Sequence, residues 1–423
     1  NPYAGLVSRL RASWLTGKTR PMEYRVAQLE ALGRFLDEKQ QDILEALASD
    51  MHEPSFEAEY CNILLCKNEL NNTLNKLDTW MKDEHVEKNL VTQLDSAFIR
   101  KDPYGVVLIV APWHCPIFAA LVPLIGAIAA GEWELCQSRT LRAPAAGRMV
   151  MTAAAKHLTP VTLELGGKNP CYVSDHCELQ IAARRVAWGR FFHAGQTCVA
   201  PNYVLCSAAV RDKLVGALRE AIAEFYGPNP KESPDFARIA DDEQFQRLRA
   251  LLGSGRVAIG GQADERERYI APTVLVDVQP SDPVMQESIL GPILPIITVT
   301  GVDEAIDFIN ARERPLVVYV FSSDKKVVNQ VLERTSSGGF CGNDTMMHMT
   351  LVSLPFGGIG ESGLGRYHGQ FTFDTFSHLR GCLQRTTALE AVTALRYPPY
   401  GAHKTGLVRA ACELKRHGAC ALL

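Results

Sequence analysis

From Gly105 to Gly131 the chain reads GVVLIVAPWHCPIFAALVPLIGAIAAG, without a single Asp, Glu, Lys or Arg. A stretch this apolar has two homes, a bilayer or a protein core. Its punctuation decides between them. Pro112, Pro116 and Pro123 interrupt it, and VVLIVA is β-branched and bounded by Gly and Pro. A strand at Val106–Ala111 buried on both faces, followed by a buried helix over about residues 117–130, satisfies the pattern. A membrane span does not.

The remaining periodicities extend this reading. Residues from Pro21 to about Val86 carry apolar spacings of three and four, as in RVAQLEALGRFLDEKQQDILEALASDM, and read as helices. A further helix is expected over about 149–157 and a short strand at VTLEL. Beyond it, YVLCS, TVLVDV, LPIITV and LVVYVFS read as strands. They alternate with helices over 210–225, 242–252, Val302–Asn310 and 326–334. Strand–helix alternation of this kind specifies an α/β fold with a parallel sheet. At 423 residues two or three domains are expected. The opening NPYAGLVSRLRASW has Arg between apolar positions and suits an amphipathic helix, not a signal peptide.

Charge and cysteines narrow the function. A net charge of −3 with no long basic run gives no pull toward nucleic acid. The twelve cysteines are scattered, without C-x-x-C pairs or zinc-ligand spacing, so neither a metal centre nor a disulfide framework is expected. Reduced thiols in the cytoplasm follow. A G-x-G-x-x-G occurs at Gly358, Gly360 and Gly363, but it lies in a run that is Gly-rich throughout, with Pro355 upstream. It reads as a loop that needs positive φ or close backbone approach, not as a dinucleotide fingerprint.

Four motifs in order carry the chemistry: VTLELGGKNPCYV, AGQTCVAPNYVLC, QESILGPILPI and LPFGGIGESGLGRYHG. Together with FTFDTFSH they resemble the aldehyde dehydrogenase superfamily, its class 3 branch and within it the 3B subgroup, over nearly the whole chain. The resemblance implies a Rossmann-type parallel-sheet cofactor domain, an α/β catalytic domain and a small β bridging arm. On this chain those are residues 1–165, 166–355, and 94–104 with 356–390, followed by a basic, poorly patterned tail, 391–423. It further implies a homodimer and oxidation of hydrophobic aldehydes to carboxylic acids with NAD or NADP.

By resemblance Cys198 is the nucleophile and Glu164 the general base. From the residues alone, Cys198 reads as a small buried hydrophobe, and a strand-end carboxylate in a salt bridge is the alternative for Glu164. Gly166 falls to the cofactor site. Three departures from the family pattern bear on activity. His114 stands where the family has the oxyanion-binding Asn. Ser288 and Leu290 stand where it has a ribose-binding Glu and a nicotinamide-packing Phe. Residues 132–146, EWELCQSRTLRAPAA, replace several dozen family residues. Between Ala111 and Val161 there is space for helices but no evident second strand, so a small sheet with open edges is expected. These departures keep two alternatives open: a membrane-tethered binding protein without dehydrogenase activity, and a cofactor-independent thiol esterase.

The chain ends CALL, a C-a-a-X form whose final Leu favours geranylgeranylation at Cys420. The alternative is a chance Cys at that distance from the end. The 3B subgroup shares such a box. One lipid anchors marginally, and Lys415, Arg416 and a palmitoyl group on Cys412 are the candidate second signals. The expected location is the cytoplasmic face of a membrane, plasma membrane or lipid droplet.

Overall fold

The computed structural model describes residues 3–138, 143–387 and 390–413. Its largest sheet has seven strands in the order Gly339–Gly342, Val317–Phe321, Pro170–Val173, Tyr203–Cys206, Ile293–Thr298, Thr273–Val276 and Arg256–Ile259. All neighbours are parallel except the last pair. The central strands are buried along their length, which explains why they read as continuous apolar runs instead of alternating ones. Helices Leu179–Phe191 and Ala208–Tyr226 pack together over this sheet.

The apolar stretch that opened the sequence forms the strand Val106–Ala111 and the helix Pro116–Ala130. That helix buries Val122, Ile125 and Ala129 among the N-terminal helices, which include Met22–Glu38 and Leu65–Trp80. Its approach to the later chain is very close. A Cβ on Gly126 would lie 2.1 Å from Thr372 Cγ2. Among the described residues no helix is long and apolar enough to cross a membrane.

Three expectations need correction. A second strand does exist on this side, Trp133–Ser138, parallel to Val106–Ala111 over six residues each. WELCQS has no β-branched residue, so propensity hid it; pairing with a strong neighbour supplies what propensity lacks. The Glu132 carboxylate, which accepts from the N–H groups of Tyr104 (2.5 Å) and Gly105 (2.6 Å), fixes its start. The strand read at VTLEL shrinks to Leu163–Glu164 and pairs antiparallel with Gly363–Leu364, outside the cofactor sheet. The tail is more ordered than its composition suggested, with helices Glu390–Thr393 and Ala402–Cys412.

This side of the molecule therefore consists of one βαβ unit whose sheet has two strands among the described residues. Leu108 and Val110 on it stay 59% and 41% exposed, where a buried parallel strand would cover both. A third sheet, Glu84–His85, Ser96–Pro103 and Ser377–Gln384, is antiparallel and joins residues far apart in the chain.

Candidate active site

The strand Val106–Ala111 leads into Pro112, Trp113 and His114. The catalytic strands begin just after Lys168, Cys198, Leu290 and Arg314. A cleft of about 1590 Å³ runs between these two sets of strand ends. Its lining includes His114, Glu164, Gly166, Cys198, Ser288 and Leu290, so six residues singled out in the sequence share one cavity.

Cys198 is half-buried at the cleft wall. Burial pushes its thiol well above the usual range, and Glu164 and Cys115 nearby push it the same way. Glu164 faces it. Its carboxyl oxygens are themselves buried and lie near the Tyr367 hydroxyl and the Cys198 thiol, without closing a hydrogen bond of standard geometry. Burial raises this carboxyl to about 7, and those two donors only partly oppose the rise. A carboxyl poised near neutrality beside a thiol is suited to exchange a proton with it.

His114 stands over the Trp113 ring edge, 5.5 Å between centroids. Burial lowers its pKa to about 4, with His193 adding to the effect, so at neutral pH it is a neutral imidazole with one N–H to give.

The Cys198 loop is tied down by buried polar groups. Asn169 Nδ2 donates to the carbonyls of Cys198 (2.7 Å) and Ala200 (3.1 Å), while its Oδ1 accepts from Val317 N–H (3.2 Å). The Tyr319 hydroxyl donates to the Val199 carbonyl at 2.6 Å. Gln196 Nε2 donates to Arg238 O (2.9 Å), and its Oε1 accepts from Ala240 N–H (2.9 Å). Arg190, with no exposed surface, spans Pro201 O (2.9 Å), Gly195 O (3.1 Å) and Gly291 O. It thus fastens the Cys198 loop to the SILGP segment. Just upstream, His193, Ala194 and Gly195 have φ of 55°, 49° and 72°. For a non-glycine residue this left-handed backbone costs roughly 1–2 kcal/mol.

On the cofactor side of the cleft, Gly166 has φ 72°, and a Cβ there would sit 3.6 Å from Cys198 Cβ. Ser288 Oγ is buried without a hydrogen-bond partner. Glu287, next to it, is exposed and pairs with Arg247 at 3.3 Å. Leu290 is held at φ 47°. The run read as a discounted fingerprint is a loop apart from the two-residue strand Gly363–Leu364, with Gly360, Gly363 and Gly365 at φ 68°, 154° and 85°. A Cβ on Gly363 would meet Leu163 O at 2.4 Å, so this loop packs directly behind Glu164.

Tyr367, Asn169, Gln196 and Arg190 were missed as individual residues. The last three stand inside or beside motifs already singled out, and Tyr367 is in GRYHG, so polar residues flanking those motifs were the available signal. Cys115 also lines the cleft. Cys412 is exposed at the end of its helix, and Cys420 lies outside the described residues. Among the described residues, no group of three or more His, Cys, Asp or Glu is placed to hold a metal ion.

A sequence model of the aldehyde dehydrogenase family matches residues 11–137 and 143–381. The chain is 53% identical to aldehyde dehydrogenase family 3 member B1 of Homo sapiens, covering 98% of each. That alignment runs over 458 positions, more than the 423 residues here, so the relative carries stretches without a counterpart. Identity to family 3 member B2 of Mus musculus is 52%, over 95% of this chain and 93% of the relative. Among solved structures, the substrate-bound state of Staphylococcus aureus AldH superposes with a TM-score of 0.91 at 36% identity, covering 95% of this chain and 97% of that one.

Proposed function

Because the chain belongs to the aldehyde dehydrogenase family, we propose that it oxidises hydrophobic aldehydes, medium- to long-chain or aromatic, to carboxylic acids with NAD or NADP, through a covalent adduct on Cys198. The observation that carries this reading is the pairing of Cys198 with a Glu164 carboxyl poised at about 7, in a cleft also lined by Trp113, Phe118, Met349 and Phe356. Those apolar walls favour an aldehyde with a hydrophobic body.

Ionised Glu164 takes the thiol proton, and the Cys198 sulfur forms a bond to the aldehyde carbon as the carbonyl oxygen gains the negative charge. The neutral His114 imidazole has an N–H to offer that oxygen. Glu164 then returns its proton to water in the cleft. Conversion of the adduct to a thioester requires a bound hydride acceptor; Glu164 then takes a proton from the water that attacks the thioester and passes it to the departing Cys198 sulfur, so the acid leaves and the thiol is restored.

The residues present fit the nicotinamide end of the cofactor. Ser288 Oγ is buried and unpartnered on the cleft wall, free to bond a ribose hydroxyl, and Gly166 keeps the space beside Cys198 clear of a side chain. A bound nicotinamide supplies the hydride acceptor that the protein lacks. The adenosine end rests on the single βαβ unit, and this small sheet favours a second reading, cofactor-independent ester hydrolysis by Cys198 and Glu164.

The test is absorbance at 340 nm when the full-length protein meets a long-chain aldehyde with NAD or NADP, beside Cys198→Ala. A signal that the variant loses supports oxidation. Nucleotide-independent ester hydrolysis that the variant loses supports the second reading. The antiparallel arm, whose outer strand Ser377–Gln384 has a free edge among the described residues, supports a homodimer joined there. Sedimentation of the chain tests it.

A further inference from the structure

The strained residues ahead of the nucleophile raise the question of what holds them. Of three consecutive left-handed residues, only Gly195 adopts that backbone freely; His193 and Ala194 do not. Such strain persists only where the surroundings over-determine it. Here they belong to the N-terminal helical layer. Glu57 Oε2 accepts the His193 backbone N–H at 2.8 Å, and Glu53 Oε1 lies 2.9 Å from His193 Nδ1. Glu53, Glu57 and His193 are all buried. On the other side, the His193 carbonyl accepts from Gln196 N (3.0 Å) and Gln196 Nε2 (3.2 Å).

The result is a continuous set of contacts from the 53–57 turn, through His193, to a residue two positions before Cys198. Packing alone does not account for it, because an apolar set of the same volume would fill the space at least as well as a buried His with two carboxyls. Nor do Glu53, Glu57 and His193 line the cleft. We propose that Glu53 and Glu57 are positioning residues, which hold His193 in left-handed backbone and thereby set where the Cys198 sulfur points. The electrostatics agree with the geometry. Burial works against charge on His193, yet Glu53 and, to a lesser extent, Glu57 together outweigh it and leave the imidazole above its usual pKa. Burial raises Glu57 to about 8, so its neutral form can be imitated by Gln.

The proposal rests on Cys198 being the nucleophile, and the experiment keeps the two apart. Iodoacetamide labelling of Cys198, followed by peptide mass, reports the thiol without any turnover. Glu57→Ala should slow labelling and lower kcat by about tenfold each, with KM nearly unchanged. Glu57→Gln, which still accepts the N–H, should stay within about twofold of the parent. Adding Ala194→Gly to Glu57→Ala relaxes the backbone and should recover about threefold of the loss. A Glu57→Ala protein that melts lower but labels at the parental rate overturns the proposal, as does equal damage from Ala and Gln. Should Glu57→Ala fail to fold, Glu53→Gln takes its place, where slower labelling supports the proposal and an unchanged rate overturns it. Failure to label Cys198 in the unaltered protein would instead remove the nucleophile reading on which this one stands.

Discussion

Replacing Glu164 by Gln should make the protein more stable and less reactive, with a pH dependence that exposes the cause. Burial raises this carboxyl from 4.5 to about 7. Below about pH 4.5 it is protonated in both the folded and unfolded chain, and burying it brings no ionisation penalty. Between 4.5 and 7 the unfolded chain ionises first, so stability falls as pH rises, and above 7 the loss is complete. At about 1.36 kcal/mol per pH unit, that loss comes to about 3 kcal/mol. Gln carries no charge and escapes it. The carboxyl oxygens make no hydrogen bond of standard geometry, so the substitution removes little else.

At pH 8 Glu164→Gln should exceed the parent by about 3 kcal/mol, and at pH 5 by less than about 1 kcal/mol. An unfolding entropy of about 2.1 cal/mol/K per residue converts the larger figure to roughly 3 °C in melting temperature for a chain of this length. Thermal melts at the two pH values, without nucleotide, read it directly. Iodoacetamide labelling of Cys198 in the parent should climb through pH 7, and the variant should lose that climb because its base is gone. An equal melting difference at both pH values, or a less stable variant at pH 8, would refute the reasoning.

Other substitutions separate the remaining parts. His114→Ala should lower kcat by about 10²-fold if its N–H meets the oxyanion, while Cys198 labelling stays unchanged; equal turnover would remove that role. Asn169→Ala leaves the Cys198 carbonyl and the Val317 N–H without their partner, while Ala200 O keeps Asn202 Nδ2, and should cost about 2–4 kcal/mol by denaturant titration. Cys420→Ser should shift the protein from membrane pellet to supernatant on fractionation of expressing cells, and an unaltered distribution would count against lipid anchoring.

Much of the fold was legible because its strands are continuous apolar runs. Tyr203–Cys206 and Val317–Phe321 are covered on both faces, as such runs require, whereas Val106–Ala111, read the same way, leaves Leu108 and Val110 exposed because its sheet has two strands among the described residues. Trp133–Ser138 escaped notice because its strand character comes from its neighbour, not from its composition. In the site, Cys198, Glu164 and His114 were singled out through the family resemblance of short motifs, and the fold brings all three to one cleft. The contact of Tyr367 with Glu164 joins segments far apart in the chain, as do the contacts of His193 with Glu53 and Glu57. Such contacts arise only on folding, and one sequence has no periodicity that announces them.

The fastening of the nucleophile loop divides the labour within this molecule. Asn169, Tyr319, Gln196 and Arg190 hold it from the seven-stranded sheet and its helices, and Glu53 and Glu57 from the N-terminal layer. None of these ties passes through the short sheet of Val106–Ala111 and Trp133–Ser138. The helix of that βαβ unit, Pro116–Ala130, packs among the N-terminal helices and has to stay, but Trp133–Ser138 takes part in none of these ties, so an engineer can lengthen or replace the chain around that strand without redesigning the hold on Cys198.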